Sequence, residues 1–508
     1  MMISNTKALA LATTALASLL LAGGAQAESA KKGGTLTVAL ETDVRGFDSV
    51  EGGVLGVSGG FVSNAIHEPV INYLPNGKHW GRLGTDWSVS DDQKVWTIKL
   101  QKGIKFHNGE EFTAEDVAAH YNRILDPKNK SRSRSFISAI KQGVKAVDPY
   151  TVQFELKHPW AAFLPFLGTR TMSGLIPSKS NVEAKKQNRQ PVGTGPFVFK
   201  NWAGGDRIVV ERNPNYWNAD RVHLDKIVFR ILPDTQARYA ALKSGEVDMI
   251  WTDRGNTIVR AKKDSDLVTH TVDGRGALIT FFNASKPPLD DKRVRQALSH
   301  AWNQNAILKV TWKDTVPLAT HPLGSGNGCG EAGYLNYDPA KAKALLADYG
   351  KPVKISMIHT TTPRGKELGE VMQQLYKKVG VELELQPVDQ NTLVKRVFTN
   401  NYQISGWRIA DGADVGPQLF ALHYSKSPYN LAHVKSPDLD KMAFAMRTAA
   451  DPAKRDALQC ELSKFINDSA HIQYRGGRRY HVFTRKHVKN VPTPWAGVSE
   501  LTSVWLDK

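Results

Sequence analysis

Cysteine is scarce in this chain, which contains only Cys329 and Cys460 in 508 residues. Two cysteines cannot form a four-thiolate zinc site, and the 15 histidines are dispersed, with no pair at i, i+4 spacing beside a carboxylate. The Gly-x-x-x-x-Gly-Lys and His-Glu-x-x-His motifs of phosphate-binding loops and zinc proteases are missing as well. The sequence therefore predicts no catalytic centre, no metal site and no cofactor.

Long apolar runs are absent beyond the N-terminus. There, Lys7 is the only charge before Glu28, an apolar run covers residues 8–21, and an Ala-x-Ala sequence ends at Ala27. This pattern is typical of a secretory signal peptide, whereas a membrane anchor needs an apolar span of ~20 residues. No cysteine follows the cut, so we expect residues 1–27 to be removed and the mature chain to be periplasmic and free of lipid.

Acidic residues are fewer than basic ones, 49 against 67, and the formal net charge is +18. This excess suits nucleic acid, an anionic membrane surface, an acidic protein or an anionic small molecule. The basic residues are scattered, with modest clusters at 131–134 and 475–479, whereas nucleic-acid modules gather them on one element. Together with export, this argues against nucleic acid. We interpret the clusters as a solvated face, with attraction of an anionic ligand or an acidic membrane-bound partner as the alternative.

Repeats of about 20–50 residues are absent, which excludes a solenoid or propeller. Linkers rich in Ser, Gly or Pro are absent too, so the domains either abut or consist of discontinuous segments. Strand-like patterns occur at residues 35–40, 95–100, 151–156, 207–212, 226–232, 277–283, 354–359 and 381–386. Between them, Thr113, Asp290, Asp338 and Asp451 supply N-cap oxygens for helices. The sequence predicts a mixed α/β fold.

The two cysteines are expected to pair, because the predicted compartment is oxidising. A bond between Cys329 and Cys460 would close a loop of about 130 residues and stabilise the fold by about 5 kcal/mol in the chain-entropy model. The alternative is two separate buried thiols, since Cys460 lies on the apolar side of its predicted helix. We favour the disulfide.

Several segments, taken together and in order, resemble one protein family. They are residues 66–70 (IHEPV), 87–92 (WSVSDD), 95–100 (VWTIKL), 103–109 (GIKFHNG), 112–117 (FTAEDV), 192–197 (VGTGPF), 211–217 (ERNPNYW), 242–248 (LKSGEVD) and 294–299 (VRQALS). The pattern is similar to that of family 5 solute-binding proteins, the periplasmic dipeptide-, oligopeptide- and nickel-type receptors of ABC importers. The resemblance covers essentially the whole mature chain.

The resemblance implies a two-lobed α/β clamp, a type II-like periplasmic binding protein of class C. The first lobe would combine residues 28–60, 189–275 and 485–508, and an additional domain, residues 61–188, would be inserted in it. The second lobe would be residues 276–484. Two crossovers, one at Arg275 and Gly276 and one at residues 484–486, would form the hinge, where a few residues absorb the closing motion.

The resemblance also implies a ligand site near residues 406–414, which read GWRIADGAD. In peptide-binding relatives, a Gly-Trp-x-x-Asp segment places an aspartate against the ligand's α-ammonium. Asp411 is the nearest match although it lies one residue late, Asp414 is the alternative, and Trp407 would lie nearby. A simple turn at Asp411 is the other interpretation. Arg408 has no counterpart in the peptide pattern and favours a ligand with a carboxylate or phosphate.

The implied function is that of a monomeric periplasmic receptor, which captures peptides or peptide-like solutes and delivers them to an ABC permease at the inner membrane. Alternative ligands in the same role are an anionic opine or sugar-phosphate, a nickel chelate and haem. The dispersed histidines argue mildly against bare metal. A second hypothesis, from a different class, is a chaperone-like binder that holds unfolded chains in an open apolar cleft. No cofactor and no nucleic acid are implied by either.

Overall fold

The computed structural model describes residues 29–50, 57–73, 79–160, 162–168, 174–324, 328–409, 414–494 and 498–508. The expected signal peptide and Asp411 lie outside the described residues. Among the described helices, none combines the length and the apolar character that a membrane crossing requires.

The described elements alternate between strand and helix along most of the chain. The strands are β1 (Thr35–Leu40), β2 (Glu68–Pro69), β3 (Ile71–Tyr73), β4 (His79–Gly81), β5 (Gly84–Val89), β6 (Val95–Leu100), β7 (Lys145–Asp148), β8 (Thr151–Glu155), β9 (Leu175–Ile176), β10 (Phe197–Ala203), β11 (Arg207–Arg212), β12 (Lys226–Ile231), β13 (Met249–Thr252), β14 (Leu267–Phe282), β15 (Lys354–Thr360), β16 (Glu382–Val388), β17 (Ile404–Arg408), β18 (Ile472–Arg485), β19 (Val488–Lys489) and β20 (Trp505–Leu506). The α-helices are α1 (Val57–Ile66), α2 (Ala114–Leu125), α3 (Phe163–Leu167), α4 (Lys179–Glu183), α5 (Thr235–Ser244), α6 (Gly255–Lys262), α7 (Lys292–His300), α8 (Gln304–Thr311), α9 (Pro339–Tyr349), α10 (Pro363–Lys377), α11 (Gln390–Phe398), α12 (Gly416–His423), α13 (Pro437–Thr448) and α14 (Pro452–Ser469).

Ten of the described strands pair in the order β10-β11-β12-β1-β13-β18-β14-β17-β15-β16. In the first half of this order, β1 runs parallel to β12 and β13. In the second half, β15 runs parallel to β16 and β17. Each half has its own buried apolar core, so the halves are two lobes joined by the long central strands β14 and β18.

The β14–β18 ribbon changes register where it passes from one lobe to the other. The shift lies between Gly274 and Ala277, opposite Gly477 and Arg478. Gly276 has a φ of 90°, a conformation that glycine adopts without steric cost. Arg275 and Gly276, the first crossover expected of the hinge, lie within this interval. Thr484, expected in the second crossover, pairs with Met249 and Val268 inside the first lobe.

An additional domain follows α1 and has its own antiparallel sheet, in the order β5-β6-β8-β7. Helix α2 covers this sheet, and Val117 and Tyr121 on the helix are buried with Ile98 and Phe154 on the strands. The expected boundary at residue 61 differs from the structure, because α1 packs into the core of the first lobe, with Ile66 fully buried there. The additional domain therefore begins after α1.

Three of the segments that carry the family resemblance meet at Glu68, which is 2% exposed. Arg82 Nε donates to its Oε1 at 2.5 Å, and the Tyr216 hydroxyl donates to the same oxygen at 2.7 Å. Trp217 Nε1 and Thr194 Oγ1 each donate to Oε2 at 3.0 Å. The buried carboxylate thus has a donor on each oxygen, and it ties the start of the additional domain to the first lobe.

Cys329 and Cys460 form a disulfide, with their Cα atoms 5.1 Å apart. Cys460 lies in α14, and Cys329 lies in the segment between α8 and α9. The bond closes a sequence separation of 131 residues within the second lobe. It therefore anchors an irregular segment to a helix of the second lobe.

Candidate functional site

Side chains from both lobes meet beside the β14–β18 ribbon. Asp253 follows β13 in the first lobe, Arg364 lies in the first turn of α10 in the second lobe, and the two form an ion pair. Next to this pair, Arg254 Nη1 lies 3.8 Å from Glu367 Oε2. These contacts link the lobes across the space between them, so the candidate site is an interlobe cleft.

Trp407 and Arg408 lie at the carboxyl end of β17 and pair with Ile279 and Leu278 of β14. The Trp407 ring is half-buried, with its centroid 6.3 Å from that of Phe281. Two of the residues expected at the ligand site are therefore placed by a strand that adjoins the ribbon. They belong to the second lobe.

Arg408 is a solvent-exposed residue whose charged group is densely surrounded by protein atoms. Loss of bulk hydration lowers its pKa, and the positive charges of Arg478 and Arg364 lower it further. Tyr480 and Tyr429 are its polar neighbours. Within the described part of the chain, no hydrogen bond or ion pair engages its side chain, so Arg408 keeps its donors for another molecule.

Arg475 and Arg478 come from β18 and add to the positive charge of the cleft. Arg475 is 5% exposed, and its Nη2 donates to the Trp407 carbonyl oxygen at 2.7 Å. Burial lowers the pKa of Arg475 to about 9, with further lowering by Arg364 and Arg478. Arg478 Nε donates to the Tyr480 hydroxyl at 3.1 Å. Four guanidinium groups therefore influence one another electrostatically in this cleft.

Two carboxyl groups of the first lobe face these cations. Burial raises the pKa of Glu41, and the charge of Asp253 raises it further. Burial also acts to raise the pKa of Asp253, but Arg364, Arg254 and Arg478 together hold it below its ordinary value. Asp253 is thus the ionised carboxylate of the pair, and it does not balance the surrounding guanidinium groups by itself. The cleft has an excess of positive charge, which favours an anionic group in the ligand.

Asp414, the alternative partner for a ligand ammonium, already has partners in the protein. Arg455 Nη1 lies 2.9 Å from its Oδ2, and the Gly416 backbone N–H donates to its Oδ1 at 2.7 Å. Its side chain is 7% exposed. The structure therefore gives Asp414 the role of holding the segment before α12. Asp411 lies outside the described residues.

The sequence patterns did not identify Arg364, Arg475 or Arg478 as site residues. The interpretation of residues 475–479 as a solvated face is wrong for Arg475, which is buried. A signal was present, because Arg475 and Arg478 flank Gly476-Gly477 in a segment with apolar residues on either side. Among the described residues, no cluster of three or more His, Cys, Asp or Glu side chains has the arrangement of a metal site.

Comparisons with known proteins agree with the two-lobed architecture. The family model for bacterial extracellular solute-binding proteins, family 5 (middle region), matches residues 81–430. A haem-binding protein A of Haemophilus influenzae is 31% identical over 73% of this chain and 75% of its own. A dipeptide-binding protein of Escherichia coli is 31% identical over 76% of this chain and 79% of its own.

A solved structure is also similar over nearly the whole chain. It is the ABC transporter-associated periplasmic binding protein DppA of Helicobacter pylori in complex with the peptide STSA. Its TM-score is 0.85 at 25% identity, and the alignment covers 94% of this chain and 99% of that one. Together with the match of the family model, these similarities show that the chain belongs to family 5 of the bacterial extracellular solute-binding proteins and is the substrate-binding receptor of an ABC importer.

Proposed function

We propose that this receptor binds a peptide or peptide-like solute through a carboxylate that pairs with Arg408. The observation that carries the proposal is the side chain of Arg408, a solvent-exposed residue with no partner among the described residues, in a cleft where arginines exceed ionised carboxylates. A charge-assisted hydrogen bond between guanidinium and carboxylate is bidentate and is stronger than a bond between neutral groups. The ligand acid would therefore offset the charge repulsion among the arginines when the cleft closes.

The amino end of the ligand would pair with Asp411, the nearest counterpart of the aspartate in peptide-binding relatives. Asp414 is less suited to this role, because its carboxylate is engaged by Arg455 at 2.9 Å. Trp407 would supply an apolar wall, since its ring already packs against Phe281 and Phe398. The two charged ends of a short peptide would then be held by groups on the same lobe, near the end of β17.

Closure would occur by bending of the β14–β18 ribbon at Gly274–Gly276 and Gly477–Arg478, where the register changes. The Asp253–Arg364 and Arg254–Glu367 contacts would then form only when the lobes are closed. Ligand and interlobe ion pairs would both favour the closed state. A receptor of this type would act as a periplasmic monomer, with a mature chain that starts at Glu28, and would deliver its ligand to the permease.

A ligand with a second acid group is the alternative that the charge balance favours. Arg364, Arg475 and Arg478 stand near Arg408, and Asp253 is the ionised carboxylate among them. An anionic opine or sugar-phosphate would offset more of this charge than a neutral dipeptide. Both neutral peptides and compounds with a second acid group should therefore be tested as ligands.

The test is a series of thermal melts with di- to oligopeptides and anionic amino-acid conjugates. A ligand at a hundredfold excess over its dissociation constant stabilises the native state by about 2.7 kcal/mol, which raises the melting temperature. We expect peptides with a free carboxylate to raise it and their C-terminal amides to do so far less. Arg408→Met should remove that difference. Asp411→Asn should remove the advantage of a free α-amine over an N-acetylated one.

The control is Arg207→Met, which removes the same charge from the exposed surface of β11, where Arg207 pairs only with Asp206 among the described residues. This variant should respond to the panel as the wild type does. If free acids and amides stabilise the wild type equally, the carboxylate assignment is wrong. If no compound of the panel raises the melting temperature, nickel chelates and haem become the better candidates.

A further inference from the structure

A second cationic group lies away from the cleft arginines, where the additional domain meets the second lobe. Arg447, in the last turn of α13, is 4% exposed. Its Nε, Nη1 and Nη2 atoms are all buried and have no hydrogen-bond partner among the residues that the structure describes. Such a group destabilises the fold, since a cation removed from water without a partner loses its hydration with no compensating interaction.

Aromatic rings cover part of this guanidinium. Its Cζ lies 4.1 Å from the ring centroid of Phe420 and 5.6 Å from that of Trp160. Phe420 belongs to the second lobe and Trp160 to the additional domain. Cation–π contacts of this kind are weaker than the hydration that a buried cation loses, so they offset that loss only in part. They also leave the N–H groups at the edge of the guanidinium unpaired.

In the described part of the chain, the electrostatic surroundings of Arg447 contain cations and lack a compensating carboxylate. Burial lowers the pKa of Lys157, and the charges of Arg447 and Arg134 lower it further. Burial also lowers the pKa of His158, again with contributions from Arg447 and Lys157. For Arg447 itself, burial is the cause of a pKa lowered to about 10, and no acidic neighbour counters it. The group therefore has donors and positive charge but no acceptor.

We infer that the junction of the additional domain and the second lobe binds a small oxyanion through Arg447, with Trp160 and Phe420 enclosing it. A phosphate, sulfate or carboxylate group supplies both the acceptors and the negative charge that the site lacks. The two rings come from different domains, so the anion is enclosed as these domains come together. The inference goes beyond the proposed function, because it concerns a site separate from Arg408 and holds whichever solute the cleft receives.

The test measures the melting temperature while phosphate replaces chloride at constant ionic strength. The wild type should show a saturable rise of about 1–2 °C at a tenfold excess of phosphate over its dissociation constant. Phosphate also stabilises proteins in general by exclusion from their surfaces, and that effect does not saturate at a site. Arg447→Met should therefore keep the general effect and lose the saturable one. Its melting temperature in chloride should be at least that of the wild type, because no unpaired cation is buried.

Three further variants distinguish the possible outcomes. Lys441→Met removes an exposed charge from the same helix and should respond as the wild type does. Arg408→Met should also keep the saturable response, which assigns the phosphate to the domain junction and not to the cleft. If Arg447→Met does not fold, Arg447→Lys keeps the charge with fewer donors, and half-saturation should then need more phosphate than in the wild type.

The inference is overturned by either of two results. One is an equal phosphate response in the wild type and Arg447→Met, together with a lower melting temperature of the variant in chloride. Arg447 would then stabilise the domain junction through its cation–π contacts alone and would not bind an anion. The other is loss of the saturable response in Arg408→Met, which would place the anion in the cleft. Broadening of the ³¹P resonance of phosphate by the wild type, and not by Arg447→Met, is the supporting spectroscopic result.

Discussion

Individual charged residues in this protein differ chiefly in how their charge is balanced. Glu68 and Arg82 are buried and face each other, with additional donors from Tyr216 and Trp217. Arg408 and Arg447 have guanidinium groups that no described side chain pairs with. A buried ion pair whose charges neutralise each other stabilises the fold. A cation without a partner is instead a position where an anionic ligand gains binding free energy, because it supplies the missing charge and hydrogen-bond acceptors.

Glu68→Gln tests the structural role of the buried pair. The amide keeps the shape of the side chain but removes the carboxylate nearest to Arg82, which then has only Glu500 at 3.3 Å as an ionic partner, so we expect the free energy of unfolding to fall by about 3 kcal/mol. The urea midpoint of the ligand-free protein measures the loss. Glu155→Gln is the control, because Glu155 forms an exposed ion pair with Lys141, and such pairs contribute about 0–1 kcal/mol. Equal effects of the two substitutions would contradict the assignment.

His67 makes stability depend on pH. Burial lowers its pKa to about 3, against an ordinary value of 6.5. The unfolded chain therefore binds a proton below pH 6.5 that the folded protein does not accept until about pH 3. Its contribution is fully present above pH 6.5 and decreases by up to about 1.4 kcal/mol per pH unit below that value.

The measurement is a series of urea midpoints between pH 7 and pH 4, for the wild type and His67→Gln. The variant should lose stability less steeply with acidification, although it is less stable at neutral pH because His67 Nε2 accepts from Gln187 at 2.8 Å. His79→Gln, at an exposed histidine, should have the slope of the wild type. Parallel slopes for all three proteins would show that His67 is not the titrating group.

At the scale of elements, each of the eight strand-like patterns in the sequence coincides with a described strand, and three of the four expected N-cap residues lie at a helix start. The segment 35–40 is β1, and Asp338 and Asp451 cap α9 and α14 through their side-chain oxygens. Helix α7 is capped by Asp291 and not by Asp290, because the Asp291 side chain accepts from the Arg293 N–H at 2.8 Å. Both residues are aspartates, and composition does not distinguish them.

The sequence patterns predicted part of β14 and none of β18, the two strands of the ribbon. The segment 277–283 was predicted as a strand, but β14 starts at Leu267 with alternating polar residues that face solvent. Strand β18 was missed altogether, because Gly476, Gly477 and four arginines interrupt its apolar pattern. The same residues build the register change and the positive cleft. Contacts such as Asp253–Arg364 join positions far apart in the chain, so no local pattern could predict them.

Arg364→Met tests whether the interlobe ion pairs hold the lobes together. Without the guanidinium, Asp253 loses its partner across the cleft, so the ligand-free protein should populate the open state more and its radius of gyration should increase. Small-angle scattering measures this change. Lys366→Met is the matched control on the same helix, where Lys366 is exposed and lies 3.9 Å from Glu370 in the same lobe. If Arg364→Met has the same radius of gyration as the wild type, the interlobe ion pairs do not hold the lobes together.

At the scale of the whole molecule, the family and the two-lobed fold followed from the ordered motifs, whereas the ligand did not. The motif residues around Glu68 are buried in the fold, so they identify the architecture without describing the cleft. The charge of +18 is spread over the chain, and only the folded arrangement shows which arginines gather between the lobes. The proposed substrate class therefore rests on the charges of the cleft and not on the motifs.

The most direct test of the receptor account is the mass spectrum of the solute released by denaturing the protein as purified from the periplasm. The account predicts a small peptide or peptide-like compound with at least one carboxylate. It should be present in the wild type and in Arg207→Met, and depleted at least about tenfold in Arg408→Met, since a hydrogen bond to a charged group is worth about 1.5–3 kcal/mol. A released solute without an acid group, or an acidic solute retained undiminished by Arg408→Met, would contradict it.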